Sequence, residues 1–246
     1  MNAPESELGC DKAPARISGM FDAIAHRYDL LNHVLSGGLD AFWRRKAIAA
    51  LGLRGGETVL DVCCGTSDLA IAATRGRRGA RHVIGVDFSG GMLRYGARKL
   101  ARRGLTKAVW LVQGDAMRIP VRSGSVDAAA VAFGIRNVEA PAVVFQDVLR
   151  VLRPGGRFAI LEFGLPPIPG IRHLYLAYFR HVLPRIGQLI SGHTSAYTYL
   201  PASVSTFPEP AVMVSALEDQ GFADVRAVQL ALGIVYLYSA TKSFDS

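Results

Sequence analysis

An α/β fold with a mostly parallel, doubly wound sheet is predicted by three observations. The stretch Val59-Leu60-Asp61-Val62-Cys63-Cys64-Gly65-Thr66-Ser67-Asp68-Leu69-Ala70 reads as a buried strand, a small-residue turn and the start of a helix. Strand and helix patterns then alternate to about residue 163, which demands parallel neighbours with helices on both faces. Finally, Asp61, Asp87 and Asp115 stand at the ends of successive strands. Ligands of such sheets bind outside that edge.

The chain begins with a polar, acidic stretch, Met1 to Pro14, read as a loose tail before one domain over 15–246. It has no apolar run of the secretory kind. Ile17, Met20, Phe21, Ile24, Ala25 and Tyr28 recur at helical spacing, Ser36-Gly37-Gly38 breaks the pattern, and Leu39 to Leu51 resumes it. This helical segment, 15–52, precedes the first strand and can fold over the ligand edge as a lid. Strands are expected at 57–63, 82–86, 108–112, 126–132 and 156–162, with helices at 67–74, 89–103 and 138–152. Ser89 is a natural cap for the second of these helices, and Asn137 for the third. Residues 164–207 form a long insertion, the kind of loop that usually carries function. A helix at 209–219 follows, then strands at 222–229 and 234–241 with Gly233 between them and no room for a helix. The last pair therefore reads as an antiparallel hairpin. Five parallel strands closed by such a hairpin make the seven-stranded, Rossmann-like sheet of class I methyltransferases.

The first turn lacks the Gly-x-Gly-x-x-Gly spacing that lets backbone approach a pyrophosphate, and Asp61 would repel a phosphate there. A nucleoside carrying an ammonium group fits better, and S-adenosylmethionine is such a ligand. Its carboxylate would sit at the helix N-terminus near Gly65, Thr66 and Ser67, its amine would face Asp61, and its ribose hydroxyls would donate to Asp87, beside Phe88. Asp115 and the Ala116 amide would reach the adenine.

Composition sets limits. The chain has 246 residues, half of them apolar, enough for one full core. No stretch reaches the ~18 to 20 apolar residues of a membrane span. Three cysteines, Cys10, Cys63 and Cys64, show no metal-ligand spacing, and no metal is expected. An odd count favours reduced thiols in the cytoplasm. The net charge of +8 concentrates between Arg75 and Lys107. That region suits a solvated face first and anionic lipid next. Nucleic acid comes last, because no aromatic side chains interleave the basic run.

Four segments resemble the ubiquinone/menaquinone biosynthesis C-methyltransferases (UbiE type). They are Tyr28-Asp29-Leu30-Leu31-Asn32 with Ser36 and Trp43; Phe133-Gly134-Ile135-Arg136-Asn137-Val138; Arg150-Val151-Leu152-Arg153-Pro154-Gly155-Gly156 running to Glu162; and Ala196-Tyr197-Thr198-Tyr199-Leu200-Pro201 with Ser203, Phe207 and Pro208. The third is shared by many methyltransferases, the others are more specific. The chain departs from that family at Leu31, Asp40, Ser67, Ala132, Gly164 and Tyr238, where Met, His, Gly, Ser, Ser and His are usual.

The resemblance implies C-methylation of a prenylated quinol, on either a naphthoquinol or a benzoquinol ring, with S-adenosylmethionine as cofactor. Rivals are methylation of another phenolic or lipid acceptor, and a non-catalytic subunit of a quinone-synthesis assembly that holds S-adenosylmethionine. Arg136 and Asn137 become the candidates for holding the ring oxygen, with Tyr28 and Asn32 closing from the lid. Ala132 joins the cofactor contacts, and Tyr197 and Tyr199 the acceptor contacts. In the insertion, Leu174, Tyr175, Ala177, Tyr178, Val182 and Leu183 recur at roughly helical spacing between arginines. That stripe suits a membrane-surface face, a dimer face or a core helix. A cytoplasmic protein, peripheral at the inner face of the membrane, is the expected setting.

Overall fold

A computed structural model describes residues 14–183, 185 and 195–244. Its sheet has seven strands, β1 (Thr58–Val62), β2 (His82–Asp87), β3 (Val109–Gln113), β4 (Val126–Ala132), β5 (Leu152–Phe163), β6 (Phe222–Leu230) and β7 (Val235–Lys242). Their order is β3-β2-β1-β4-β5-β7-β6. The first five strands are mutually parallel, and β7 pairs antiparallel with both β5 and β6. The strand order reverses between β1 and β4, which opens a crevice at their carboxyl ends.

Alternation along the strands divides the core in two. Leu60, Val62, Ala129, Val131, Phe158 and Ile160 face one layer with Phe145 and Val148 of α5 (Pro141–Val151). Met213 and Leu217 of α8 (Pro210–Asp219) complete that layer. Val59, Ala128, Ala130, Ala159 and Leu161 face the other, with Trp43 and Ala47 of α2 (Asp40–Ala50) and Leu69, Ala70 and Ala73 of α3 (Asp68–Ala73). The small residues of β4 let helices approach the middle of the sheet closely.

Asp61 falls on the same side as Val59, so the period of two turns its carboxylate under α3. There it is 1 % exposed, and its Oδ2 accepts the Ala70 amide at 2.9 Å. Ser89 caps α4 (Gly90–Arg102) as expected, accepting from the Met92 amide at 3.0 Å. Asn137 does not cap α5. A 3-10 turn at Ile135–Asn137 intervenes and the helix starts at Pro141, whose fixed φ suits a first helical position. Between β6 and β7, Ala231–Gly233 form a short 3-10 turn where no helix was expected.

The segment expected as a lid, 15–52, folds as α1 (Pro14–Leu35) and α2, and α1 starts within the stretch read as tail. Asp22 and Asp29, seven residues apart, share a face and bind the ends of α4 and the first turn. Asp22 Oδ1 accepts from Ser89 Oγ at 2.5 Å and from the Gly91 amide at 2.9 Å. Asp29 binds Lys99 and Thr66. A Cβ at Gly91 would overlap the Asp22 carboxylate, so glycine there lets α1 dock.

The insertion folds as α6 (Pro169–Ala177), a π-helical segment over Tyr178–Val182 and α7 (Ser195–Ser205). Its apolar stripe divides. Tyr175, Phe179 and Leu183 pack with Leu31 and Val204, whereas Leu174 is 73 % exposed. No helix of the described residues is long and apolar enough to cross a membrane.

The departure at Ser67 carries a local cost. Its φ of 71° is left-handed, and its buried Oγ has no hydrogen-bond partner among the described residues. Ser67→Gly relieves both penalties and adds unfolded-state entropy worth about 0.5 to 1 kcal/mol. The net expectation is a gain of roughly 1 kcal/mol, a rise of a few degrees in Tm by calorimetry. A lower Tm would mean that Ser67 is not strained.

Candidate active site

Two cavities lie at the carboxyl edge of the parallel strands, under α1. The smaller, about 200 Å³, is walled by the ends of β1 to β4. Gly65, Asp87, Phe88, Asp115, Ala116, Ala132 and Asn137 line it, with Cys63 and with Ile17, Phe21 and Tyr28 of α1. The larger, about 700 Å³ and mostly apolar, lies between α1, α2, the β4 and β5 ends and the insertion. Asn32, Arg136 and Tyr199 line this one, with Asp40, Arg44 and Tyr175. Phe21, Tyr28 and Phe133 belong to both cavities and form the wall between them.

In the smaller cavity Asp87 is fixed from behind. Its Oδ2 accepts the Gly65 amide at 2.8 Å, and its Oδ1 accepts the Ser89 amide at 2.9 Å. The outer lone pairs of both oxygens stay available. Burial raises its pKa above the ordinary carboxylate value, against the backbone bonds that lower it. Asp115 Oδ1 accepts from the Met117 amide at 2.8 Å and caps the 3-10 turn Ala116–Arg118. Asn137 Oδ1 is buried and has no hydrogen-bond partner among the described residues. Three non-glycine residues with left-handed backbone, Cys63, Ser67 and Phe133, cluster in the turns below this cavity, where strain commonly marks a functional site. The Cys63 and Cys64 thiols are pushed well above their usual pKa by burial and by the surrounding carboxylates, which leaves them unreactive packing groups.

Asp61 and Thr66, expected at the ligand's amino-acid end, line neither cavity. Asp61 serves α3, and burial lifts its pKa to about 8. Thr66 Oγ1 accepts from Lys99 Nζ at 3.1 Å and donates to Asp29. Asn137, expected beside Arg136 on the acceptor, sits in the smaller cavity instead. The Tyr197 side chain lies outside the described residues.

Arg136 is 6 % exposed, and its Nη1 donates to Glu162 Oε1 and to the Phe133 carbonyl, both at 2.6 Å. Burial lowers its pKa most strongly, but Glu162, 0 % exposed, together with the nearby Tyr28 and Tyr199 hydroxyls, turns the net direction upward. The guanidinium therefore stays charged. Its Nε has no hydrogen-bond partner among the described residues. The guanidinium lies 5.3 Å from the Phe163 ring centroid, Phe163 stacks on Phe133 at 4.5 Å, and the Arg44 guanidinium lies 5.6 Å from the Phe133 centroid. Two cations thus flank an aromatic pair on the wall of the larger cavity.

Sequence reasoning did not single out Glu162, Arg44 or the Asp22 and Asp29 latch as functional. Among the family departures, Asp40 pairs with Arg44 at 2.5 Å at the cavity wall. Tyr238 is buried in the core away from both cavities. A Cβ at Gly164 would meet the Tyr236 ring at 2.7 Å, so glycine makes room for that tyrosine.

The residues of the smaller cavity fit S-adenosylmethionine. The two outer faces of the Asp87 carboxylate suit a vicinal diol, and the orphaned Asn137 oxygen suits an ammonium donor.

The profile of the ubiE/COQ5 methyltransferase family matches residues 10–242. A ubiquinone/menaquinone biosynthesis C-methyltransferase UbiE of Syntrophotalea carbinolica is 45 % identical over 224 residues, covering 91 % of this chain and 93 % of that one. A demethylmenaquinone methyltransferase of Clavibacter sepedonicus is 40 % identical over 233 residues, covering 94 % and 92 %. Among solved structures, the [4+2]-cyclase SpnF superposes with a TM-score of 0.67 at 17 % identity, covering 97 % of this chain and 99 % of that one. An S-adenosylmethionine-dependent methyltransferase of Aquifex aeolicus gives 0.59 at 20 %, covering 93 % and 98 %. Both structures share the fold.

Two predictions come from the carboxylates. Asp87→Ala removes a charged acceptor, worth about 1.5 to 3 kcal/mol, so affinity for S-adenosylmethionine should fall roughly ten- to a hundredfold by calorimetric titration. Unchanged affinity in a folded variant would exclude Asp87 as a contact. For Asp61 the folded pKa lies above the unfolded one, so its stabilisation is complete below the ordinary carboxylate range. It is lost as pH rises towards about 8. Asp61→Asn should flatten the decline of Tm between pH 5 and pH 8, by about 1.4 kcal/mol for each unit by which the group is raised. An equal decline in the variant would show that Asp61 does not titrate there.

Proposed function

The chain belongs to the ubiE/COQ5 methyltransferase family, and from that premise we propose that it moves a methyl group from S-adenosylmethionine to a ring carbon of a prenylated quinol. The observation that carries this reading is the shared wall. The smaller cavity, fit for the donor, is edged by the Asp87 and Asp115 carboxylates and by the Asn137 oxygen, which has no partner among the described residues. It meets the larger apolar one, fit for a lipid-like acceptor, at Phe21, Tyr28 and Phe133. The names carried by the relatives, ubiquinone/menaquinone biosynthesis and demethylmenaquinone methyltransferase, support a quinone-type acceptor.

S-adenosylmethionine, when bound, supplies a methyl group on a sulfonium, a donor that needs alignment more than activation. Asp87 holds the ribose hydroxyls, Asn137 Oδ1 takes the ammonium, and Asp115 and Ala116 border the adenine side. In the larger cavity, the Phe133 and Phe163 stack offers a flat wall for the acceptor ring. A ring carbon becomes nucleophilic as an adjacent phenol gives up its proton to solvent. The carbon takes the methyl as the carbon–sulfur bond breaks and S-adenosylhomocysteine leaves. Loss of the ring C–H proton, with return of one proton to the oxygen, restores the aromatic quinol with one proton released overall. Arg136 meets the charge that develops on that oxygen through the side of its guanidinium that Glu162 does not occupy. Tyr28, whose pKa burial holds above its usual value, stays a neutral hydroxyl between donor and acceptor. Asn32 and Tyr199 border the same space.

The apolar cavity takes the prenyl tail. Leu39, Leu174 and Val182 line it and are also 48 %, 73 % and 40 % exposed, with Leu30 and Val34 close by on α1. Arg172, Arg180 and Arg185 stand exposed on the same segment. An apolar mouth with arginines beside it suits the surface of an anionic bilayer, in which such a substrate is dissolved. The peripheral, inner-face setting follows from this part of the reading.

Arg136→Lys keeps the charge and loses the planar fork. The variant should bind S-adenosylmethionine normally. Methylation of a prenylated quinol, read as S-adenosylhomocysteine formed, should fall on the order of a hundred- to a thousandfold in turnover, equivalent to about 3 to 4 kcal/mol. A rise in KM with turnover unchanged would make Arg136 a binding group only. No product from any prenylated quinol with the wild-type chain would overturn the reading itself.

A further inference from the structure

We propose that the Tyr175 hydroxyl is the subsite for the second ring oxygen of the acceptor, the one that Arg136 does not meet. The inference rests on the reading of the larger cavity as the acceptor site. Tyr175 sits on α6, lines that cavity and is 7 % exposed, yet its Oη has no hydrogen-bond partner among the described residues. A buried hydroxyl without a partner bears the full cost of lost hydration. Phenylalanine at the same place would keep the packing and escape that cost.

Among the described residues the ring packs in an apolar cluster. Phe179 lies against it at 4.3 Å, and Leu31, Leu183 and Val204 complete the cluster. Phe179 belongs to the π-helical segment, a geometry that occurs frequently at functional sites. The adjacent Tyr178 Oη donates to the Leu35 carbonyl at 3.3 Å, so α6 is tied to the lid that carries Tyr28. Burial raises the Tyr175 pKa, which keeps the group a neutral donor through the working pH range.

Arg136 Nε is a second buried polar atom of this cavity without a partner. A mostly apolar space with two unmatched donors calls for a flat, apolar ligand with two oxygens. A quinol carries its oxygens on opposite sides of one ring. An acceptor with a single oxygen would leave one of the two donors buried and unmatched.

The test compares full-length wild type and Tyr175→Phe with two short-chain prenylated acceptors. One is a 1,4-diol. The other retains the hydroxyl next to the methylated carbon and lacks the opposite one. Wild type should show a KM about tenfold higher for the mono-hydroxy compound. In Tyr175→Phe the KM for the diol should rise to that level, with the two acceptors equal and affinity for S-adenosylmethionine unchanged. Because the hydroxyl has no partner among the described residues, the Tm of the ligand-free variant should stay the same or rise. Discrimination persisting in Tyr175→Phe overturns the inference and leaves the proposed reaction intact. A Tm lower by several degrees also overturns it, since the hydroxyl would then be a structural bond. If wild type methylates no diol, both the reaction and the inference fall.

Discussion

The buried pair of Arg136 and Glu162 holds one wall of the larger cavity together. Glu162 is the penultimate residue of β5, and its carboxylate receives the Arg136 guanidinium and the Phe163 amide and lies near the Arg136 amide. The same guanidinium caps the Phe133 carbonyl, where the chain leaves β4 with left-handed backbone. Two strand ends, a strained turn and the aromatic wall are thereby joined through one contact. Taking one partner away would leave the other charged and buried, at a cost of about 3 to 5 kcal/mol. The pair also decides what the guanidinium offers. Its Nη1 is committed to protein, while its Nε has no hydrogen-bond partner among the described residues.

On the cofactor side the backbone plays the corresponding part. Asp87 is held in place by the amides of Gly65 and Ser89, from two different turns. Its position therefore depends on the carboxyl edge of the sheet and not on side-chain packing. Ser89 links this arrangement to the lid, since its hydroxyl binds Asp22 while accepting from α4. One serine thus serves a helix cap and a lid contact.

Much of this was legible in the residues, for identifiable reasons. The strand–turn–helix at Val59 to Ala70 and the acid at Asp87 follow local periodicity, and local periodicity survives folding. Asp61 shows the limit of motif reasoning, because its parity with Val59 points it at α3 whatever the turn resembles. Asn137 looked like a cap, but Pro141 supplies a better helix start four residues after the end of the turn. The Glu162 partner of Arg136 lies 26 residues away in sequence, and Asp22 meets Gly91 across 69. Neither distance leaves a trace in periodicity. The Ser67 and Gly164 departures can be weighed only in space, where serine bears the cost of a left-handed turn and glycine clears the Tyr236 ring.

Helix α1 is the common wall of both cavities, through Phe21 and Tyr28, and it is latched at Asp22 and Asp29 to the elements that bound the donor. A ligand in either cavity therefore bears on the same rigid rod. By the reciprocity of linkage, whatever factor the donor imposes on acceptor affinity, the acceptor must impose on the donor. Helix α1 is the element through which any such factor can pass by direct contact, because its Phe21 and Tyr28 touch both spaces while Asp22 and Asp29 fix its position.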